Sequence, residues 1–156
     1  MSKSLRDILL VLMQIEMNFN KLYTITSVLD GKYSSKIKTI TAVLAREEAS
    51  HYEWYENLLE QNDYNDIKIE DKIYEIARKN LDSFYSSISR SDIHADENLI
   101  QTAYDYEIKN EETLREIYNA VKEEKCNEKE TLMKFLEDII KTEESHAANL
   151  KMFIRI

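Results

Sequence analysis

Proline is absent from this sequence, and glycine occurs once, at Gly31. Both residues break helices and build tight turns, so their near-absence over 156 residues excludes turn-rich sandwiches and barrels and points to an all-α fold. Cysteine also occurs once, at Cys126, which excludes an internal disulfide and a Cys-x-x-Cys pair and favours a reducing compartment. Basic charge is in deficit: 21 Lys and Arg face 30 Asp and Glu, a formal net charge of −9, so neither nucleic acid nor an anionic membrane is an expected partner. Long apolar runs are missing as well. The run Ile8 to Met13 is interrupted by Gln14 and Glu16, is too short to span a membrane, and precedes no cleavage site. A cytoplasmic protein is expected, folded as one domain over residues 1–156.

What is present is a helical period. Leu5, Leu9, Leu12, Glu16, Phe19 and Tyr23 share one stripe of a helix over about residues 3–29, which Asp30-Gly31 ends with a glycine suited to a left-handed cap. A second helix, 34–61, starts near Ser34 or Ser35 and carries Ile37, Thr41, Leu44, Glu48, His51, Tyr55 and Leu58. The polar segment Gln61 to Asp66 breaks the pattern, and a shorter amphipathic stretch follows over about 70–88. A third long helix, 96–124, carries Ile100, Tyr104, Glu107, Glu111, Leu114, Tyr118 and Val121. Asn127 and Glu130 form a capping-box signal for a fourth, with Leu132, Leu136, Ile139, Glu143, His146, Leu150 and Phe153 on one seam. Short links follow the first and third long helices, and about 34 residues, 62–95, separate the second from the third. The order is therefore hairpin, crossover, hairpin, as in a four-helix bundle.

Six polar residues stand where such stripes hold leucine: Glu16, Glu48, His51, Glu111, Glu143 and His146. An ionised carboxylate costs several kcal/mol to bury unless it is compensated. Neither Arg nor Lys lies on the stripes, whereas two divalent cations would match the −4 of the four carboxylates. Glu48 and His51, like Glu143 and His146, are i, i+3 neighbours able to reach one ion. Carboxylate and imidazole donors suit iron or manganese, so two Fe ions, or Mn or a mixed pair, are the expected cofactors. An internal repeat supports the set. A shift of 95 residues lays Glu16 on Glu111, Tyr23 on Tyr118, Glu48 on Glu143 and His51 on His146. The apolar positions follow it: Phe19 falls on Leu114, Leu22 on Ile117, Ile40 on Phe135 and Leu44 on Ile139. Glu107, one turn before Glu111 on its stripe, is an additional candidate, and Tyr23 and Tyr118 are candidates to hydrogen-bond the ligand carboxylates. A helical interaction module without metal is the bland alternative; it leaves the buried carboxylates uncompensated.

These residues resemble the ferritin-like diiron domain of the rubrerythrin family over nearly the whole chain, including the tyrosine seven residues after the first glutamate. The resemblance implies a ferritin-like four-helix bundle in which Glu48 and Glu143 help hold both ions. It also implies a homodimer and reduction of hydrogen peroxide at the metal centre. The alternative within the same fold is a ferroxidase that oxidises Fe²⁺ with dioxygen. Two departures stand out: one cysteine cannot build the four-thiolate rubredoxin site of that family, and Leu114 stands where the family has an extra carboxylate, one turn after Glu111. A separate electron-donor protein such as a rubredoxin is then expected.

Overall fold

A computed structural model describes residues 2–28, 34–89, 96–125 and 129–154. Among the described residues five helices run in order: α1 (Leu5–Val28), α2 (Ser35–Gln61), α3 (Asp71–Ser89), α4 (Asp96–Lys122) and α5 (Lys129–Lys151). The fold is all-α and ferritin-like, with helix bounds within a few residues of those the periodicity predicts. The Asp30-Gly31 stop, His94, Cys126 and the Asn127 end of the capping box lie outside the described residues.

Local chemistry sets the helix starts. At α1, Ser4 and Asp7 cap each other: the Ser4 amide donates to Asp7 Oδ2 at 2.8 Å, and the Asp7 amide donates to Ser4 Oγ at 3.2 Å. The Ser4 amide and the Ser4 hydroxyl, which also donates to Oδ2 at 2.9 Å, hold the Asp7 carboxyl below its ordinary range. At α2, Ser34 Oγ accepts from the Ile37 amide at 3.3 Å, a cap worth about 1 kcal/mol. The residues before α1 are tied to the chain that follows α2. The Leu5 amide donates to the Ile67 carbonyl at 2.8 Å, the Ile69 amide to the Lys3 carbonyl at 3.2 Å, and Ser4 and Lys68 form one isolated antiparallel bridge.

Helix α1 packs along α2 and α4 along α5, making the two hairpins. Between them the crossover carries α3, whose buried Ile73, Ala77, Leu81 and Phe84 close the bundle against α1 and α4. The α1 stripe is buried throughout, from Leu5 to Tyr23, and so is that of α5 from Leu132 to Leu150. Each fully buried Leu or Ile contributes about 1.5–3 kcal/mol by leaving water, and this apolar sleeve above and below the polar layer fixes its height. Among the described residues, no helix is long and apolar enough to cross a membrane.

Candidate metal centre

Halfway along the bundle the leucines give way to acids and imidazoles. Glu16 comes from α1, Glu48 and His51 from α2, Glu107 from α4, and Glu143 and His146 from α5; all are at most 1% exposed. They form two groups, each with ligand atoms within 4.8 Å of one another: Glu16, Glu48, His51 and Glu143 in one, and Glu48, Glu107, Glu143 and His146 in the other. Glu48 and Glu143 belong to both. The histidine rings lie nearly parallel, with centroids 5.5 Å apart.

Protein hydrogens cannot satisfy this layer. His51 Nδ1 stands 3.0 Å from Glu48 Oε2, 3.2 Å from Glu16 Oε2 and 3.2 Å from Glu143 Oε1. One ring nitrogen carries at most one hydrogen, so it cannot serve three oxygens. Glu16 Oε1, both Glu48 oxygens, Glu107 Oε2, Glu143 Oε1 and His146 Nδ1 are buried without a hydrogen-bond partner. Such atoms are costly unless a cation collects them, and their donor set suits iron, manganese or zinc. The residues fit a pair of divalent ions.

The electrostatics of the protein alone agree. Burial, then the charge of Glu143, pushes Glu48 and Glu107 well above the usual carboxylate range. Burial acts the same way on Glu143, but His51, with Nδ1 3.2 Å from Oε1, and the His146 imidazole overcome it and hold this carboxyl down at about 2. Burial would lower His146; the carboxylates of Glu107, 3.5 Å from its Nδ1, and of Glu143 instead raise it to about 9. Protons thus take part of the role that cations would fill.

Two sequence expectations fail on α4. Glu111 is not in the cluster: it is half-buried and paired with Arg115 at 3.1 Å, while Arg115 also pairs with Glu144. Glu107, the additional candidate, occupies the place assigned to Glu111. Tyr118 is likewise outside, its hydroxyl donating to Glu137 Oε1 at 2.8 Å. The cause is the seam itself. Ile100, Ala103, Glu107, Asn110, Leu114, Ile117 and Val121 are buried, while Tyr104, Glu111 and Tyr118 lie together on a half-buried flank. The turn carries the same signal. In an antiparallel hairpin, side chains at equal height are equally far from the turn. Glu107 and Glu143 are centred on Lys125, between the end of α4 at Lys122 and the start of α5 at Lys129. Glu111 and Glu143 are centred two residues later, on Asn127.

Tyr23 does reach the site, donating to Glu107 Oε1 at 2.5 Å. Counted from Glu107, the residue one turn on is Asn110, an amide where the resemblance implies a carboxylate. It is 2% exposed and donates from Nδ2 to Glu143 Oε2 at 3.2 Å. Glu47, which the periodicity places on the solvated face, accepts from His146 Nε2 at 2.7 Å. With a metal bound, that bond would keep the proton on Nε2 and turn the Nδ1 lone pair to the cluster. No sequence signal marks this pair, whose members are 99 residues apart.

A family model described as Rubrerythrin matches residues 7–154 of the chain. No curated protein and no solved structure is similar enough to this chain to be matched.

Proposed function

The chain belongs to the rubrerythrin family, and from that membership and the buried cluster we propose that it holds two iron ions and reduces hydrogen peroxide to water. The observation that carries this reading is the overlap of two four-residue groups on Glu48 and Glu143, with buried carboxylate oxygens lacking any protein partner. When bound, the iron pair would supply two electrons, one from each ion, to cleave the O–O bond.

The chain's own residues would hold and orient that pair. Glu48 and Glu143 reach both positions, Glu16 and His51 serve one, and Glu107 and His146 serve the other. Tyr23 fixes Glu107, Asn110 fixes Glu143, and Glu47 keeps the His146 proton on Nε2, away from the cluster. The apolar sleeve keeps bulk water from the layer, so charge changes there are felt strongly. Two protons and two electrons enter for each peroxide, and two waters leave. The sequence holds one cysteine, so a four-thiolate electron-transfer site cannot form within it. A separate reductant protein, such as a rubredoxin, completes the cycle, and a cytoplasmic homodimer is the form we assign.

Stopped-flow mixing of the ferrous protein with peroxide and with dioxygen tests the activity. Peroxide should oxidise the site much faster. Faster oxidation by dioxygen would replace the peroxidase reading with a ferroxidase one, and protein that takes up no metal would end both.

A further inference from the structure

Tyr55 is a buried titratable group to which the reading above gives no role. It follows His51 by one turn on α2, and its side chain is 0% exposed. Its ring meets Phe135 of α5 edge-on, with centroids 4.9 Å apart. The hydroxyl has no hydrogen-bond partner. Long helical side chains lean toward the helix N-terminus, so a phenol at this position reaches back over the turn that carries His51. Its ionisation is opposed first by burial and then by Glu16, Glu143 and Glu48, which are three of the four residues of the His51 group. Glu16 Oε1, an acceptor of that group, is also buried without a partner.

The other half of the site differs. There Leu150 follows His146 by one turn, and the nearby phenol, Tyr23, is committed to Glu107. Phenylalanine at position 55 would keep the ring against Phe135 without burying an unpaired hydroxyl, so the hydroxyl costs stability unless it has a partner when the site is loaded. The four protein residues of the His51 group leave a five- or six-coordinate ion short of ligands, and water is the ordinary supplement. Resting on the two-metal reading, we propose that the Tyr55 hydroxyl hydrogen-bonds a water that accompanies the metal in the half-site of Glu16, Glu48, His51 and Glu143. The two metal positions are then unequal: a phenol with no protein partner follows the histidine of one by a turn, and a leucine follows the histidine of the other.

The test is Tyr55→Phe, read by Mn²⁺ affinity in degassed buffer and by thermal unfolding with and without Mn²⁺. Without metal, the variant should melt about 3–6 °C higher than wild type, because it loses a buried unpaired hydroxyl. With metal that gain should vanish, and Mn²⁺ should bind about fivefold more weakly at one of the two positions. Unchanged Mn²⁺ affinity, or an equal gain in melting temperature in both forms, overturns the proposal and leaves the metal reading intact. Wild-type protein that binds neither Mn²⁺ nor Fe²⁺ overturns both.

Discussion

Glu107→Gln and Glu111→Gln are the pair of variants that separates the buried seam of α4 from its flank. Glu107 is fully buried, and burial with the charge of Glu143 pushes its carboxyl well above the usual range. Both effects favour the neutral carboxyl in the metal-free protein. Glutamine is neutral too, and its amide oxygen can still accept from the Tyr23 hydroxyl, so the variant should fold with nearly wild-type metal-free stability. Metal binding is another matter. Removing one charged member of a buried ionic set costs about 3–5 kcal/mol. At about 1.4 kcal/mol per decade this corresponds to at least 100-fold in affinity for the ion beside His146. Glu111 has a different partner. Its bond to Arg115 is half exposed, and such a pair contributes about 0.3–0.5 kcal/mol, or roughly 1–2 °C of melting temperature in a protein of this size. Elemental analysis after dialysis against limiting Fe²⁺ or Mn²⁺ should find two ions in wild type and in Glu111→Gln, and about one in Glu107→Gln. Two ions in Glu107→Gln with one in Glu111→Gln would refute the assignment and restore the register of the internal repeat.

Other perturbations follow from the same geometry. Metal-free protein should lose stability as pH rises. Glu48 and Glu107 are raised and His146 is raised to about 9, so their contributions are complete below their unfolded pKa values and disappear as pH climbs through the folded ones. Glu143, held at about 2, acts oppositely and only toward acid, so melting temperature measured with a chelator present should peak at about pH 4–5 and fall steadily to pH 9.5; a rise across that interval would contradict the assignments. Glu47→Ala removes the acceptor for His146 Nε2; because Glu47 is 48% exposed, the loss of metal affinity should be about tenfold, at the lower end for such partners, and unchanged binding would show that the bond is incidental. Tyr23→Phe should lower Mn²⁺ affinity by roughly tenfold through Glu107, whereas Tyr118→Phe should leave it unchanged, since that hydroxyl serves Glu137.

Five of the six cluster residues stand out in the sequence because each is an acid or imidazole on a stripe of leucine, and the stripes of α1, α2 and α5 are buried as the period requires. Helix α4 is harder. A helix whose period is not a whole number allows two interleaved paths, one through Ala103, Asn110 and Ile117 and one through Tyr104, Glu111 and Tyr118. The second carries larger residues, but only the first faces the bundle. The repeat reinforced the misplacement. Moving from Glu111 to Glu107 is close to one full turn, so Leu114 and Ile117 remain core residues under the 95-residue shift while the height along the axis is off by a turn. The hairpin and crossover order was legible because loop length constrains it. The Glu47–His146 and Asn110–Glu143 contacts were not, because they depend on how two distant helices are rotated against each other.

Each hairpin brings three members of one group and borrows the fourth from its neighbour: Glu143 crosses to complete the Glu16 set, and Glu48 crosses to complete the Glu107 set. This exchange makes the loans mutual, so neither half of the molecule can assemble a full donor set in isolation. A hairpin expressed by itself would have to pair with a second copy to recover the missing glutamate. Ion uptake by the whole chain would therefore signal that both halves have docked in register.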